Sequence, residues 1–381
     1  MRILGIERNN FATNHYRVVQ PLRKLQQHRL AETSTFHIDD LKTRLEQITE
    51  LVIGADVILT YSPSNEDWLG FMKLCRKHGK LVVADYDDDP FNVSPWNPAY
   101  QHVGMQEVAY EWPDGTRDLL WSEDMVGAKG EPGFFDVERN LRTRDLFAVN
   151  FKRADLVTTT TDILAETLRA FNPRVGILPN LIDLEDYVRL DVNRRGRVRI
   201  GWQGGSSHYE DLWVMLDSLR RLLEKYPHVT FVYLGDLRLA GVLRPLPPAQ
   251  VEIHRWVSHA AYSYKLATLC LDIGLCPLVD TVFNMNKSAI KWMEYSAVGA
   301  ATIASGITPY RQVIEHDQTG LLAGDDAWFM AMESLVLDEK RRRKLADNAY
   351  DAVESSHNSD TKAHLWVEAY EQLLKQPLMV S

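Results

Sequence analysis

The feature that most constrains the fold is a pattern that occurs twice: a short apolar run, then a polar loop, then a helical repeat. The first copy has its apolar run at residues 2–6, its polar loop at 7–15 and its helical pattern at 16–25. The second copy opens at residues 198–202 and continues through a Gly/Ser loop into a helical pattern at 211–226. A doubly wound α/β domain usually begins in this way, so the chain predicts two α/β domains.

Further short apolar runs, each bounded by turn-forming residues, predict the remaining strands. Continuous apolar runs suit parallel strands that helices cover on both faces. The predicted strands lie at residues 57–60, 81–84, 156–160 and 175–178 in the first half and at 229–234, 251–254, 273–276, 301–304 and 319–322 in the second. A final stretch, residues 326–374, is predicted to be helical throughout.

The length of 381 residues exceeds what one hydrophobic core usually serves, which also favours two domains. We predict an N-terminal domain at residues 1–185 and a C-terminal domain at 196–357, because the polar segment 186–197 has the composition of a linker. Residues 358–381 are predicted to form a C-terminal helix that packs back on the first domain. Residues 96–145 break the rhythm of the first domain and are interpreted as a long insertion, either functional or a surface elaboration.

Composition excludes several classes of protein. With 45% hydrophobic and 25% charged residues, the chain is ordinary globular protein. Its net charge of −9 argues against a protein whose main affinity is for nucleic-acid phosphates. Three cysteines are too few for a disulfide framework or a zinc site. No apolar run is long enough to span a bilayer, and the N-terminus lacks a signal-peptide pattern, so we expect a cytoplasmic protein.

A glycine-containing loop follows the first strand of the second domain and precedes its first helix. Its candidate ligand-binding residues are Gly204, Gly205, Ser206 and His208. Glycines let the backbone approach a ligand, and a helix N-terminus presents unpaired N–H groups to an anion. The alternative is a plain turn between strand and helix, since this loop is not the dinucleotide fingerprint.

A second group of polar residues lies in a predicted helix at residues 286–298. Asn286 and Ser288 are typical of a helix start, and Lys287, Lys291 and Glu294 recur at helical spacing on one face. Two ammonium groups beside a helix N-terminus suit a diphosphate, and a carboxylate one turn later suits a ribose diol. The alternative is a solvated charged face.

Residues 200–212, 272–305 and 178–183 together resemble family 4 retaining glycosyltransferases, especially bacterial and phage members. The resemblance implies the α/β fold called GT-B, with two Rossmann-like domains facing across a cleft. It also implies a nucleoside-diphosphate sugar as donor and a reaction that needs no metal or other cofactor.

The resemblance assigns Glu294 to the ribose, as the second glutamate of the family's Glu–seven residues–Glu motif; Asn286 replaces the first. The family's loop often carries an Arg and a Lys, but this loop has Gln203, Ser206 and His208. We therefore expect two lysines and the loop amides to bind the diphosphate, namely Lys287, Lys291, Gly204 and Gly205. Trp256 and Val257 fall where the family contacts the base; the alternative is a buried core tryptophan.

Two further candidates lie in the first domain. Asp85, Asp87, Asp88 and Asp89 form an acidic run that ends before Pro90. A metal site or turn formation would explain such a run, but we expect some of these carboxylates, Asp87 in particular, to contact sugar or acceptor hydroxyls. In the segment 9–17, Arg17 is expected to support the leaving group; the alternative is a surface arginine.

These features predict glycosyl transfer with retention, from a nucleotide sugar to a hydroxyl of a glycan, protein, lipid-linked molecule or modified DNA base. Three alternatives stay open. The enzyme would be of inverting type if the first domain supplies a general base. It would be a phage-type enzyme if it acts on modified DNA bases. It would be a non-catalytic nucleotide-binding protein if only the fold has been kept.

Overall fold

The computed structural model describes residues 1–8, 12–111, 115–123, 135–190 and 196–375. The chain divides into two compact units. Unit 1 comprises Met1–Pro179 with Ala363–Ser381, and unit 2 comprises Asn180–Lys362. The predicted boundaries, 1–185, 196–357 and 358–381, differ from this division by several residues. Part of the predicted linker, residues 191–195, lies outside the described residues.

Unit 1 is built on a parallel six-stranded sheet with a separate two-stranded hairpin. The sheet order is β2-β1-β3-β4-β7-β8. Strand β2 therefore lies on one side of β1, and the strands from β3 onward are added on its other side. Every residue of β3 and β4 is buried, as expected for parallel strands covered on both faces. The strands are β1 Arg2–Glu7, β2 Glu32–His37, β3 Val57–Tyr61, β4 Leu81–Tyr86, β5 Val108–Glu111, β6 Arg117–Trp121, β7 Leu156–Thr159 and β8 Val175–Ile177.

Helices connect these strands. They are α1 Ala12–Asn14, a π-helical turn His15–Val19, α2 Gln20–Gln27, α3 Leu45–Gly54, α4 Glu66–Lys77, α5 Tyr100–Val103, α6 Val137–Arg153 and α7 Asp162–Arg169. The predicted insertion 96–145 is therefore not a plain loop, because it contains α5, the β5–β6 hairpin and the first turns of α6. Its residues 112–114 and 124–134 lie outside the described residues.

Unit 2 is built on a second parallel six-stranded sheet, of order β11-β10-β9-β12-β13-β14. This is the Rossmann strand order, in which ligands bind beyond the carboxyl ends of the central strands. The direction of the connections changes between β9 and β12. The strands are β9 Val198–Gly204, β10 Val229–Gly235, β11 Val251–Arg255, β12 Ile273–Cys276, β13 Ala301–Ser305 and β14 Leu321–Ala323.

The helices of unit 2 cover both faces of this sheet, and Trp202, Leu219, Phe231 and Trp328 belong to one continuous buried core. They are α8 Tyr209–Lys225, α9 His259–Leu269, α10 Val282–Met285, α11 Ile290–Ala297, α12 Thr308–Arg311, α13 Trp328–Leu337, α14 Glu339–Ser356 and α15 Ser359–Lys362. The last helix, α16 His364–Leu374, belongs to unit 1 and packs against α2.

The predicted helix 286–298 is wrong over its first turn. Thr281 caps the earlier helix α10 by accepting a hydrogen bond from the Asn284 amide at 3.2 Å. Asn286 then closes this helix and donates from Nδ2 to the Val282 carbonyl at 2.9 Å. The chain restarts as α11 only at Ile290, so Lys287 lies in the link between two helices.

Candidate functional site

The loop after β9 lies at the carboxyl edge of the unit 2 sheet, where it leads into α8. Gly205 precedes a short 3-10 turn, Ser206–His208, and α8 begins directly after it at Tyr209. A side chain at Gly204 would collide with the Trp202 ring, because an added Cβ would lie 2.7 Å from its Cζ2 and Cη2 atoms. Gly204 is thus required for close packing, and the turn presents backbone N–H groups at the start of a 17-residue helix.

His208 lies between an acid and a base. Its Nδ1 is 2.7 Å from Asp211 Oδ2, and its Nε2 is 2.7 Å from Lys291 Nζ. Burial, followed by the charges of Lys287 and Lys291, lowers the pKa of His208 to about 3. The imidazole is therefore neutral at physiological pH.

Asp211 is almost fully buried, at 1% exposure, and is held by three groups. Besides its contact with His208, its Oδ1 accepts hydrogen bonds from the Val279 amide and from Asn284 Nδ2, each at 2.9 Å. Burial raises the pKa of this carboxyl, but the hydrogen bond from His208 and the nearby Lys287 outweigh it and lower the pKa overall. Asp211 is thus a carboxylate fixed within the unit.

The two lysines of the predicted site lie close to this group. Lys291 is 9% exposed, and burial, together with the charge of Lys287, lowers its pKa from 10.5 to about 8. Lys287 lies with its ammonium 4.9 Å from the centre of the Phe283 ring. Within the part of the chain that the structure describes, neither lysine forms an ion pair with a carboxylate. The two ammonium groups therefore lack a direct ion pair, although Asp211 and Glu294 act on Lys291 from a greater distance.

Glu294 lies one turn after Lys291 and is 3% exposed. Its Oε2 accepts hydrogen bonds from Gln203 Nε2 at 2.7 Å and from the Tyr262 hydroxyl at 2.9 Å. The backbone N–H of Gln203 also donates to the Tyr295 hydroxyl at 3.1 Å, which connects the end of β9 to α11. The structure thus joins Gln203, at the start of the glycine loop, and Glu294 in one hydrogen-bond network.

Trp256 is 43% exposed, so the alternative of a buried core tryptophan is wrong. It follows β11, and its ring stacks on Tyr262 with a centroid separation of 5.4 Å and an interplanar angle of 26°. Because Tyr262 also donates to Glu294, an exposed indole and a buried carboxylate share one connecting residue. Val257 is half-buried beside this tryptophan.

Asn286 and Ser288 both lie where α10 ends and before α11 begins. Asn286 is fully buried at 0% exposure and closes α10, as described above. The Ser288 hydroxyl accepts a hydrogen bond from Asn180 Nδ2 at 2.8 Å. Their assignment to the donor stays a prediction; what the structure shows is that both shape the link carrying Lys287.

In unit 1 the expectation for Arg17 must be corrected. The side chain is neither on the surface nor available to a leaving group, because both it and Asp85 are 0% exposed. Its Nε and Nη2 donate to the two carboxylate oxygens of Asp85 at 2.8 and 2.7 Å, and its Nη1 donates to the Leu178 carbonyl at 2.6 Å. Its guanidinium also lies 5.8 Å from the centre of the Trp366 ring. Arg17 is a core residue.

The other aspartates of the acidic run differ in their surroundings. Asp89 is buried and accepts hydrogen bonds from the Phe91 amide and from Asn92 Nδ2, so turn formation explains this residue. Asp88 is exposed, and Asp87 is 8% exposed at the carboxyl end of β4. The role of Asp87 stays a prediction. Across the described ranges, no three His, Cys, Asp or Glu side chains converge as metal ligands would.

The sequence reasoning missed Asp211, Asn284 and Tyr262. The spacing of three between His208 and Asp211 at a helix start was a visible signal for the first. Nothing local connects Asn284 or Tyr262 to the site, because they reach it from other helices.

None of the helices in the described part of the chain is both long and apolar enough to cross a bilayer.

Comparison with known proteins gives a match over part of the chain. Residues 213–368, less than half of the chain, match the family model described as "Glycosyl transferase-like". No curated protein sequence matches the chain. The matched segment includes Trp256, Lys287, Lys291 and Glu294.

Three solved structures share the fold. HepE from Anabaena, in complex with UDP and glucose, has a TM-score of 0.63 at 12% identity, covering 98% of this chain and 100% of its own. Sucrose-phosphate synthase from Thermosynechococcus elongatus has a TM-score of 0.62 at 15% identity, with coverage of 98% and 99%. The pneumococcal O-GlcNAc transferase GtfA, in complex with UDP and GlcNAc, has a TM-score of 0.55 at 12% identity, with coverage of 84% and 57%. These likenesses confirm the predicted GT-B class, an α/β fold with two parallel six-stranded sheets.

Proposed function

We propose that this chain is a glycosyltransferase that takes a sugar from a nucleoside-diphosphate donor bound in unit 2. The observation that carries the proposal is the pair Lys287 and Lys291, two ammonium groups without a carboxylate partner in the described structure. They lie beside a helix N-terminus at the carboxyl edge of a Rossmann-ordered sheet, where ligands of such sheets bind. A diphosphate supplies the negative charge that this arrangement lacks.

The reaction explains why these charges are placed there. The bond between the anomeric carbon and the diphosphate oxygen breaks, and the acceptor hydroxyl oxygen bonds to that carbon. The hydroxyl proton passes to the departing diphosphate oxygen. Negative charge grows on the departing diphosphate as the bond lengthens, so fixed cations and amides stabilise the transition state more than the ground state. Because the lysines supply this positive charge, we propose that no metal ion is needed.

The nucleoside would bind beside three connected residues, Trp256, Tyr262 and Glu294. We propose that the base stacks on the exposed indole of Trp256 and that the ribose diol donates hydrogen bonds to Glu294. Uridine is the first nucleoside to test, because HepE and GtfA were both solved with UDP. Val257, Gly205, Ser206 and Asn286 are proposed to complete the donor site through their backbone.

Retention at the anomeric carbon is a further part of the proposal, supported by the resemblance to family 4 enzymes. Proton NMR of the product tests it directly, since the anomeric coupling constant distinguishes the two configurations. If the product has the inverted configuration, Asp87 becomes the candidate general base. The acceptor is proposed to be a hydroxyl compound.

A panel of UDP-, GDP- and ADP-sugars tests the proposed function. We expect one nucleotide to raise the melting temperature of the purified protein, and its sugar to be released by slow hydrolysis or transfer. EDTA should leave that rate unchanged. Lys287→Met and Lys291→Met should each remove most of the activity, whereas Lys340→Met, an exposed site on α14, should leave it intact. Normal turnover in both site variants would refute the assignment.

A further inference from the structure

We propose that His208 is a positioning residue that Asp211 holds in one tautomer, so that its Nε2 directs the Lys291 ammonium toward the donor diphosphate. This inference deepens the proposed function and rests on it. It gives His208 a role through Lys291, instead of the direct donor contact that the glycine loop suggested. It also brings Asp211 and Asn284 into the site, although neither contacts the ligand.

The contacts determine the tautomer. Asp211 is a carboxylate and only accepts hydrogen bonds, so the His208 Nδ1 atom, 2.7 Å away, must carry the ring proton. The Nε2 atom then has a free lone pair and accepts from the Lys291 ammonium, also at 2.7 Å. One proton position thus satisfies both contacts, and the opposite tautomer would satisfy neither.

The acid that sets the tautomer is itself fixed. Asp211 Oδ1 accepts from the Val279 amide and from Asn284 Nδ2, which leaves Oδ2 directed at the imidazole. These donors come from the chain after β12 and from α10, so the carboxylate cannot turn without losing two hydrogen bonds. Its orientation is therefore set by three separate elements of unit 2.

The imidazole ring is fixed by packing as well. It meets the Trp202 ring edge to face, with 6.1 Å between centroids, and Trp202 in turn stacks on Tyr233 at 5.2 Å. Only 12% of the His208 side chain is exposed. A neutral, immobile acceptor therefore faces Lys291.

The consequence concerns the direction of the ammonium. Lys291 has three N–H donors, and one of them is held by His208, so the other two are restricted in direction. A lysine side chain is otherwise a point charge on a flexible stem with many rotamers. The charged groups that act on Lys291 are Lys287 from the preceding link, Asp211 from α8 and Glu294 from α11. The titratable thiol of Cys276, at the end of β12, also faces it, but burial raises the pKa of this thiol to about 12 and keeps it neutral.

Asp211→Asn is the sharpest perturbation because it changes hydrogen-bond polarity and little else. The new amide oxygen still accepts from Asn284 and the Val279 amide, so its NH2 group faces His208 Nδ1. The ring must then protonate Nε2, which places an N–H against the Lys291 ammonium. We expect kcat to fall about 100-fold, while KM for the donor changes less than about threefold, because the lost orientation matters most as charge develops.

Two sets of variants separate positioning from a structural effect. Asp217→Asn is the matched control on the same helix, because Asp217 is 70% exposed and forms its ion pair with Arg220, also on α8; its kcat should stay within about twofold of the wild type. His208→Gln retains an acceptor for Lys291 and should keep activity within about tenfold, whereas His208→Leu should match Asp211→Asn. In Asp211→Asn the alkaline limb of the profile of kcat against pH should move to lower pH, because the ring N–H now faces the Lys291 ammonium and favours loss of its proton.

Nitrogen-15 NMR of the imidazole tests the relay without turnover. The wild type should show a protonated Nδ1 in the ligand-free protein, and Asp211→Asn should show a protonated Nε2. A protonated Nε2 in the wild type, or equal kcat values for Asp211→Asn and Asp217→Asn, would overturn the inference and leave the proposed function standing. Failure of the wild type to bind any nucleotide sugar, with the expected tautomer observed, would instead remove the proposed function.

Discussion

Replacing Lys291 by methionine should stabilise the protein while removing its activity. Burial, with the charge of Lys287, lowers the Lys291 pKa from 10.5 to about 8. A lowering of about 2.5 pH units means that the charged form costs the folded state roughly 3 kcal/mol at pH 7. Methionine removes that cost, but it also removes the hydrogen bond to His208, worth about 1 kcal/mol. The expected net gain in unfolding free energy is therefore about 2 kcal/mol.

The sign of this effect gives it a characteristic pH dependence. A lysine whose pKa is lowered on folding destabilises the folded state fully below its folded pKa, here about 8. The cost declines as the pH rises toward 10.5, where the unfolded chain also loses the proton. The advantage of Lys291→Met over the wild type should accordingly be greatest at pH 7 and nearly absent at pH 10.5.

Urea denaturation followed by circular dichroism measures the difference between the two proteins at each pH. Lys340→Met is the matched control, because this exposed lysine should change stability by less than about 0.5 kcal/mol at either pH. A Lys291→Met protein that is less stable than the wild type at pH 7 would refute the reasoning. So would a gain of equal size at both pH values, since it would not come from the ammonium.

Four further substitutions test other parts of the structure. Gly204→Ala would place a methyl group against the tryptophan ring beneath the loop and should raise the donor KM, whereas Gly70→Ala, on α4 of unit 1 with no atom within 4 Å of the added Cβ, should not; steady-state kinetics compares them. Arg17→Met leaves the Asp85 carboxylate buried without its partner and should lower the unfolding free energy by about 3–5 kcal/mol in urea denaturation. Trp256→Ala should weaken nucleotide binding by about 1–3 kcal/mol, measured by calorimetry, with little change in the melting temperature because the ring is exposed.

The central strands of both sheets could be predicted because each is an apolar run bounded by turns. Edge strand β2 was missed, since only Phe36 of its residues is buried and its sequence is largely polar. Helix α6 was mistaken for part of a loop for a related reason. Two of its buried positions are Asn140 and Asn150, whose Nδ2 groups donate to backbone carbonyls and whose polar side chains interrupt the apolar periodicity.

The sequence predicted the charged residues of the candidate site but not the hydrogen bonds that connect them. Lys291 and Glu294 share a helix, so their spacing alone brought them together. Lys287 reaches the same place from a link that helical spacing did not anticipate. The contacts of Asn284 and Tyr262 join residues 73 and 32 positions apart, and only the folded chain reveals such pairs.

The contrast between two buried cations shows how the structure separates a binding residue from a core residue. The sequence analysis expected Arg17 to support the leaving group and Lys291 to bind the donor diphosphate. Arg17 is matched by a bidentate carboxylate and a backbone carbonyl, so its charge is neutralised within unit 1. Lys291 has instead a neutral imidazole as its hydrogen-bond partner and a second ammonium nearby, and no carboxylate of the described residues forms an ion pair with it. Keeping this ammonium group buried lowers the stability of the folded protein. The binding of an anionic ligand explains why the residue is retained there.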